Sequence, residues 1–303
     1  MFQIFQVPAD AAEITEQLGT KYKFWYEDDH MGRSLFKEGR PNTGENWAER
    51  LAAELALVIG LPHAYYELAQ FRERAGVISK SFVPDDGRLI HGNELIGGVG
   101  AETDNADRKF YRDRSHTITR VFSYFRAVTD VLPPFDFMPF DRVELAIDVF
   151  VGYLMFDAWI ANQDRHNQNW GLVRGFGQET HLAPSFDHGS SMGRNETDAR
   201  RAQILNTRDK GQQMPAYVAR ATSAIYPPLA GEKTKPLSTL DAFIYAARLR
   251  PAAAESWVRK LRAVTPEFIT ALVGLIPPSH ASDVTKEFTS QLLQANRARL
   301  LAL

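Results

Sequence analysis

The stretch ANQDRHNQNWGLV (residues 161–173) decides how this chain is read. It places Asp164, His166 and Asn169 within six residues, directly after a long apolar segment and directly before a short one. Two oxygen-bearing side chains and an imidazole at such a junction make either a polar turn between helix and strand or the working end of an active site. Asp and Asn are turn formers, so the cluster alone reads as capping and turn chemistry. Its surroundings have to decide.

Upstream lies FDRVELAIDVFVGYLMFDAWIA (140–161), whose bulky residues recur at helical spacing. Asp148 and Asp157 inside this run would be costly at mid-bilayer, so it reads as a buried helix and not a membrane span. Downstream, LAPSFDHGSS (182–191) follows a strand-like run and supplies Asp187 and Gly189. Asn169 stands five residues after Asp164, the offset between the base-like Asp and the magnesium-binding Asn of a protein-kinase catalytic loop. Asp187-His-Gly has the D-F-G layout with His188 in place of Phe. An Asn carbonyl and an Asp carboxylate are the oxygen donors Mg2+ takes from a protein when phosphates supply the rest. The two other histidine readings, an ordinary buried imidazole or a zinc ligand, differ in support: no H-E-x-x-H pairing is present.

Residues 1–86 read as short strands around one helix. KYKFWYED (21–28) and RSLFKEG (33–39) flank the turn DHMG, and AYYELAQF (64–71) and AGVISKSFV (75–83) form a second hairpin. Between them RPNTGENWAERLAAELALVIGLP (40–62) predicts a helix, with Asn42 and Thr43 as candidate caps and Gly60 and Pro62 closing it. Lys37 ends a strand, where a lysine reaches nucleotide phosphates, and Glu45, Glu49 and Glu54 are its candidate orienting partners. Backbone groups near Lys80 and Phe82 are placed to meet an adenine edge. A lobe boundary is expected near residues 84–88, after which amphipathic helices dominate to residue 303. The polar segment GSSMGRNETDARRAQILNTRDKGQQMP (189–215) is expected to be a mobile loop or short exposed helix, presenting Arg194, Arg200 and Arg201 to a substrate.

Composition narrows the classes. A net charge of −2 argues against a dedicated nucleic-acid coat or polybasic membrane binder. With no cysteine, disulfides and thiolate metal sites are excluded, which suits a reducing, cytoplasmic setting. The N-terminal stretch MFQIFQVPADAAEITEQ lacks a basic region before its apolar run and does not read as a signal peptide.

NQDRHNQN with FDHGSS, the LFK strand and a helix ending in IGLP resemble the HipA-like serine/threonine kinases. The resemblance spans roughly residues 15–300 and is carried by the signature Asp-x-His-x-x-Asn at Asp164, His166 and Asn169. It implies an α+β, bilobal protein-kinase-like fold, ATP and Mg2+ as cofactors, and transfer to a Ser or Thr of a protein substrate. It makes Asp164 the catalytic Asp, with His166 where many kinases steady the transferring group. Asn169 and Asp187 would hold Mg2+, Lys37 would contact phosphates and Glu49 would pair with Lys37. The phosphate loop would be LGTKYKF (18–24), with Thr20 and Lys21 at the nucleotide, and its lack of serine removes the inhibitory loop phosphorylation known in the family. Length resembles that of compact members without the extra N-terminal subdomain. The family further implies a bacterial toxin–antitoxin role, with an antitoxin protein as partner and a translation component such as an aminoacyl-tRNA synthetase as substrate. A kinase acting on a small molecule or lipid headgroup, and a catalytically inactive interaction module, are the alternative classes.

Overall fold

A computed structural model describes residues 1–11, 14–15, 22–97, 113–128, 130–175, 177, 179–231 and 233–303, which form a mixed α+β fold. Thr20 and Lys21 lie outside the described residues. Strands β1 (Ile4–Val7), β2 (Ile14–Thr15), β3 (Lys23–Asp28) and β4 (Gly32–Glu38) precede helix α1 (Glu45–Val58), and β5 (Glu67–Phe71) and β6 (Arg74–Lys80) follow it. They make one sheet in the order β1-β5-β6-β4-β3-β2, with β1 parallel to β5 and the other pairs antiparallel.

Strand alternation is what aims Lys37. Successive side chains point to opposite faces, and residues opposite one another in an antiparallel pair share a face. Phe36 pairs with Ile78 and both enter a small cluster with Phe24, Tyr26 and Phe71 on the outer face. Lys37 pairs with Val77, which belongs to the main core beneath α1. Lys37 therefore points to the helix side of the sheet. Helix α1 lies on this face through Ala48, Leu51, Ala52, Leu55 and Ala56, all fully buried.

The caps of α1 differ from expectation. Its N-cap is Gly44, with no side-chain cap. Asn42 takes a left-handed backbone (φ 59°), Thr43 Oγ1 turns back to the Arg40 carbonyl at 2.8 Å, and the Glu45 carboxylate accepts from the Arg40 N–H at 3.1 Å. The Thr43 hydroxyl is thus spent on the preceding turn, which Asn42 shapes through its backbone.

After β6 the chain enters a second sheet, ordered β7-β9-β10-β8 and built from β7 (Arg88–His91), β8 (Val131–Leu132), β9 (Gly171–Arg174) and β10 (Thr180–Leu182). Helices α2 (Gly92–Ile96) and α3 (Ile118–Ala127) accompany it, and α4 (Ala146–Ile160) runs through the centre. Every residue of α4 is buried, as its unbroken apolar run requires. No helix among the described residues is long and apolar enough to cross a membrane. Asp148 is accommodated because it accepts from the Leu145 N–H at 3.1 Å and Arg250 Nε at 2.7 Å. Around α4 pack α7 (Thr239–Leu249), α8 (Pro251–Arg262) and α10 (Asp283–Leu301), with α9 (Pro266–Gly274) against α10. Gly152 admits the Trp257 ring, since a Cβ there would lie 2.4 Å from it.

The polar segment after Asp187 takes the short-helix alternative: it holds α5 (Asp198–Asn206) and runs into α6 (Met214–Val218). Arg201 is buried and donates to Asp198, Thr285 and the Gly193 carbonyl, so it braces the segment against α10 and is not presented to a substrate.

His116 is buried, stacked on Trp170 just before β9. Its Nε2 accepts from Trp170 Nε1 at 3.1 Å, so its proton is on Nδ1, facing the Ala224 carbonyl at 3.1 Å. Burial pushes its pKa down to about 4 from 6.5. A group depressed in this way binds its proton more readily unfolded, so its neutral form supports the fold fully above pH 6.5 and that support is lost as pH falls towards 4. Buried His188, also depressed, acts in the same direction. Thermal melts should show Tm falling across this window; a Tm that is flat or rising from pH 6.5 to 4 would contradict the assignment.

Candidate active site

Helix α4 ends where Ala161 turns left-handed (φ 53°), swinging the following loop back over the helix terminus. Asn162 bonds Asp157 at 2.8 Å and its side-chain oxygen receives the Asp164 N–H at 3.2 Å. Arg165 then turns inward. Its Nε and Nη2 each meet a different Asp157 oxygen at 2.8 Å, Nη1 donates to the Asn169 carbonyl and Nη2 also to Ser185 Oγ, both at 2.8 Å. One buried guanidinium thus joins the helix, the loop and the approach to Asp187.

Held this way, the loop presents its polar side chains to one space. Asn169 Nδ2 donates to the Asp164 carbonyl at 2.8 Å, which leaves the amide oxygen as the atom Asn169 offers a cation. The Gln168 N–H donates to His166 Nδ1 at 3.1 Å, so the His166 proton lies on Nε2, 3.8 Å from Asp164 Oδ1. Burial lowers the pKa of His166, while the charges of Asp164 and Asp187 pull it up. Burial raises that of Asp164 above 3.8; His166 opposes the shift and Asp187 adds to it.

Asp187 stands opposite with a left-handed backbone (φ 58°), a conformation stored at functional turns. Lys37 Nζ reaches its Oδ1 at 2.5 Å. Burial works against the Lys37 charge, but Asp187 and then Glu49 outweigh it and hold its pKa above the usual lysine value. Among the three candidate glutamates, Glu54 is paired with Arg50 at 2.5 Å and Glu45 with Arg40 and Arg194. Glu49 acts on Lys37 through its field, while the direct partner of Lys37 is Asp187. Gly189 permits this closeness, because a Cβ there would be 3.0 Å from Glu49 Oε2. Phe82 stacks on Phe186 with ring centroids 5.5 Å apart, tying the strand exit to the residue before Asp187. The Lys80 side chain is exposed at the end of β6.

Sequence reasoning passed over Asp157, Arg165, Ser185 and Tyr66. The Tyr66 hydroxyl accepts the Asp187 N–H at 3.3 Å. Burial, then Glu49 and Asp187, raise its pKa well above 10, so it stays protonated.

Among the described residues no three His, Asp or Glu side chains gather as a metal cage. The Asp187 carboxylate and the Asn169 amide oxygen nevertheless fit Mg2+ as a partial, all-oxygen donor set of the kind that phosphates complete. Asp187 also adds to the cost of ionising Asp164, a cost that a cation held at Asp187 would relieve.

No family model matches the chain, and no curated protein sequence does. Solved structures do. The Helicobacter pylori proinflammatory kinase CtkA is similar with a TM-score of 0.70 at 17% identity, over 99% of this chain and 95% of that one. HipA of Shewanella oneidensis MR-1, from a toxin–antitoxin system solved with HipB and operator DNA, is similar with a TM-score of 0.56 at 14% identity, over 97% of this chain and 67% of that one. The fold is therefore the HipA-like kinase fold.

Breaking a buried ion pair from one side leaves an uncompensated charge and costs about 3–5 kcal/mol. Arg165→Met should lower stability by about that amount in urea unfolding, and adding Asp157→Asn should recover part of it. A double variant no more stable than Arg165→Met would show that the pair is not the organising contact.

Proposed function

We propose that this protein is an ATP- and Mg2+-dependent serine/threonine protein kinase. The observation that carries the reading is the convergence of Lys37, Asp187, Asn169 and Asp164 from two sheets and one helix end onto a single space, joined by the 2.5 Å Lys37–Asp187 contact. Residues 1–86 form the lobe that meets the nucleotide phosphates, with Lys37 steadied by Glu49 and the Lys80–Phe82 exit beside the adenine. Residues 87–303 carry the catalytic loop and Asp187.

Phosphoryl transfer asks a protein chiefly for positioning and charge stabilisation. Asp164, partly exposed and raised by burial, accepts the proton of an incoming hydroxyl. His166, neutral with its N–H on Nε2, donates towards the same space. Asn169 and Asp187 would hold the metal, whose charge would offset that of the phosphates. Tyr66 fixes Asp187 through its N–H, and Lys37 would exchange Asp187 for phosphate oxygens. The likeness to HipA extends the proposal to the kinase of a bacterial, cytoplasmic toxin–antitoxin pair, with an antitoxin protein as partner and a translation component such as an aminoacyl-tRNA synthetase as substrate.

Because Asp164 has no metal role in this scheme, Asp164→Asn should lower kcat by about 10²–10⁴-fold with the KM for ATP little changed. Asp187→Ala should also abolish the rise in Tm that Mg2+ and ATP give the wild type. The measurements are label transfer from γ-labelled ATP to protein and thermal shift. Wild-type transfer by Asp164→Asn, or no Mg2+-dependent shift in the wild type, would overturn the reading.

A further inference from the structure

Three hydroxyls follow Asp187 closely enough to matter, and the structure treats them differently. Thr197 caps α5, where its Oγ1 accepts from the Arg200 N–H. Ser191 is buried, away from any acceptor. Ser190 alone reaches the base: its Oγ donates to Asp164 Oδ2 at 3.2 Å and accepts from Arg194 Nη2 at 3.0 Å.

That contact is the one an acceptor hydroxyl must make, because the proton lost on transfer goes to Asp164. Ser190 is partly exposed, as is the Asp164 side chain, so neither group is closed off from solvent. Its main chain is anchored: the Gln163 N–H donates to the Ser190 carbonyl at 3.2 Å, and Arg194 is held in turn by Glu45 of α1. Ser190 lies three residues beyond Asp187, the direct partner of Lys37.

We propose that Ser190 is an acceptor for its own active site, phosphorylated within the same chain; the inference rests on the kinase reading above. The bond from Ser190 Oγ to the γ-phosphorus of ATP forms as the bond from that phosphorus to the β,γ-bridging oxygen breaks. The hydroxyl proton passes to Asp164, and ADP leaves with the electron pair. The product sets a doubly charged phosphate against Asp164 and Asp187, with Arg194 as its nearest cation. It also fills the place an outside hydroxyl would need. Modification is therefore self-limiting, reaching one phosphate per chain and slowing transfer to other proteins.

The test incubates the full chain with Mg2+ and ATP, maps phosphate by mass spectrometry and follows transfer to dephosphorylated casein in parallel. The expected result is a single phosphate on Ser190, formed at a rate per chain that does not depend on protein concentration, with casein labelling that decays as it accumulates. Ser190→Ala should lose this phosphate and the decay with it, and Ser190→Thr should regain both. A wild type that labels casein while Ser190 stays unmodified would overturn this inference and leave the kinase reading standing, as would a rate that rises with protein concentration for transfer within one chain. A wild type that labels neither casein nor itself would overturn both.

Discussion

Arg165 and Asp157 meet through two parallel N–H···O bonds of 2.8 Å, both side chains almost wholly removed from water. Removing two charges from water is expensive, and such a pair is favourable only when its remaining donors and acceptors are also satisfied. Here they are: Asn162 bonds the carboxylate, while the Asn169 carbonyl and Ser185 share the guanidinium. The arrangement has value beyond stability. Its anchor point lies on a helix that cannot shift without disturbing the core, so the loop hung from it is placed rigidly. Asp164 and Asn169 flank or follow Arg165 in sequence, and their positions depend on where that guanidinium goes.

The same cation constrains its neighbours. Arg165 has only hydrogens to give, so Ser185 Oγ must accept from it, and the hydroxyl hydrogen and a second lone pair remain for His188 Nε2 at 2.6 Å. Either neutral tautomer of His188 satisfies that contact. Burial, with Arg165 close by, keeps its pKa well below 6.5. A neutral, edge-on imidazole against Phe156 explains how a histidine takes the position where the D-F-G pattern has phenylalanine. It packs as an aromatic ring and adds one hydrogen bond towards the Asp187 turn.

Short-range patterns were legible in the sequence, and long-range polar pairs were not. The alternation in RSLFKEG and AGVISKSFV, and the apolar run of α4, each report on burial a few residues at a time, and the structure places β4, β6 and α4 on those stretches. The spacing of Asp164, Asn169 and Asp187 was visible because kinase-type chemistry uses fixed local offsets. Arg165 sat inside the decisive stretch unread, because an arginine between Asp and His in a polar turn is usually solvated. Asp157 was weighed only as an objection to a membrane span. Tyr66 bonds a residue 121 positions away, and no periodicity carries such a pairing. The anchoring of residues 189–215 was hidden for the same reason, since Arg201 reaches Thr285 on the last helix.

Charge at the site follows from these placements. Arg40 and Arg194 answer Glu45, while Asp187 and then Glu49 act on Lys37. Lys37 is held protonated by them despite its burial, and Asp164 resists ionisation through burial first, with Asp187 adding to the shift. The loop and the turn are therefore coupled electrostatically, since any charge that settles beside Asp187 also changes the field at Asp164.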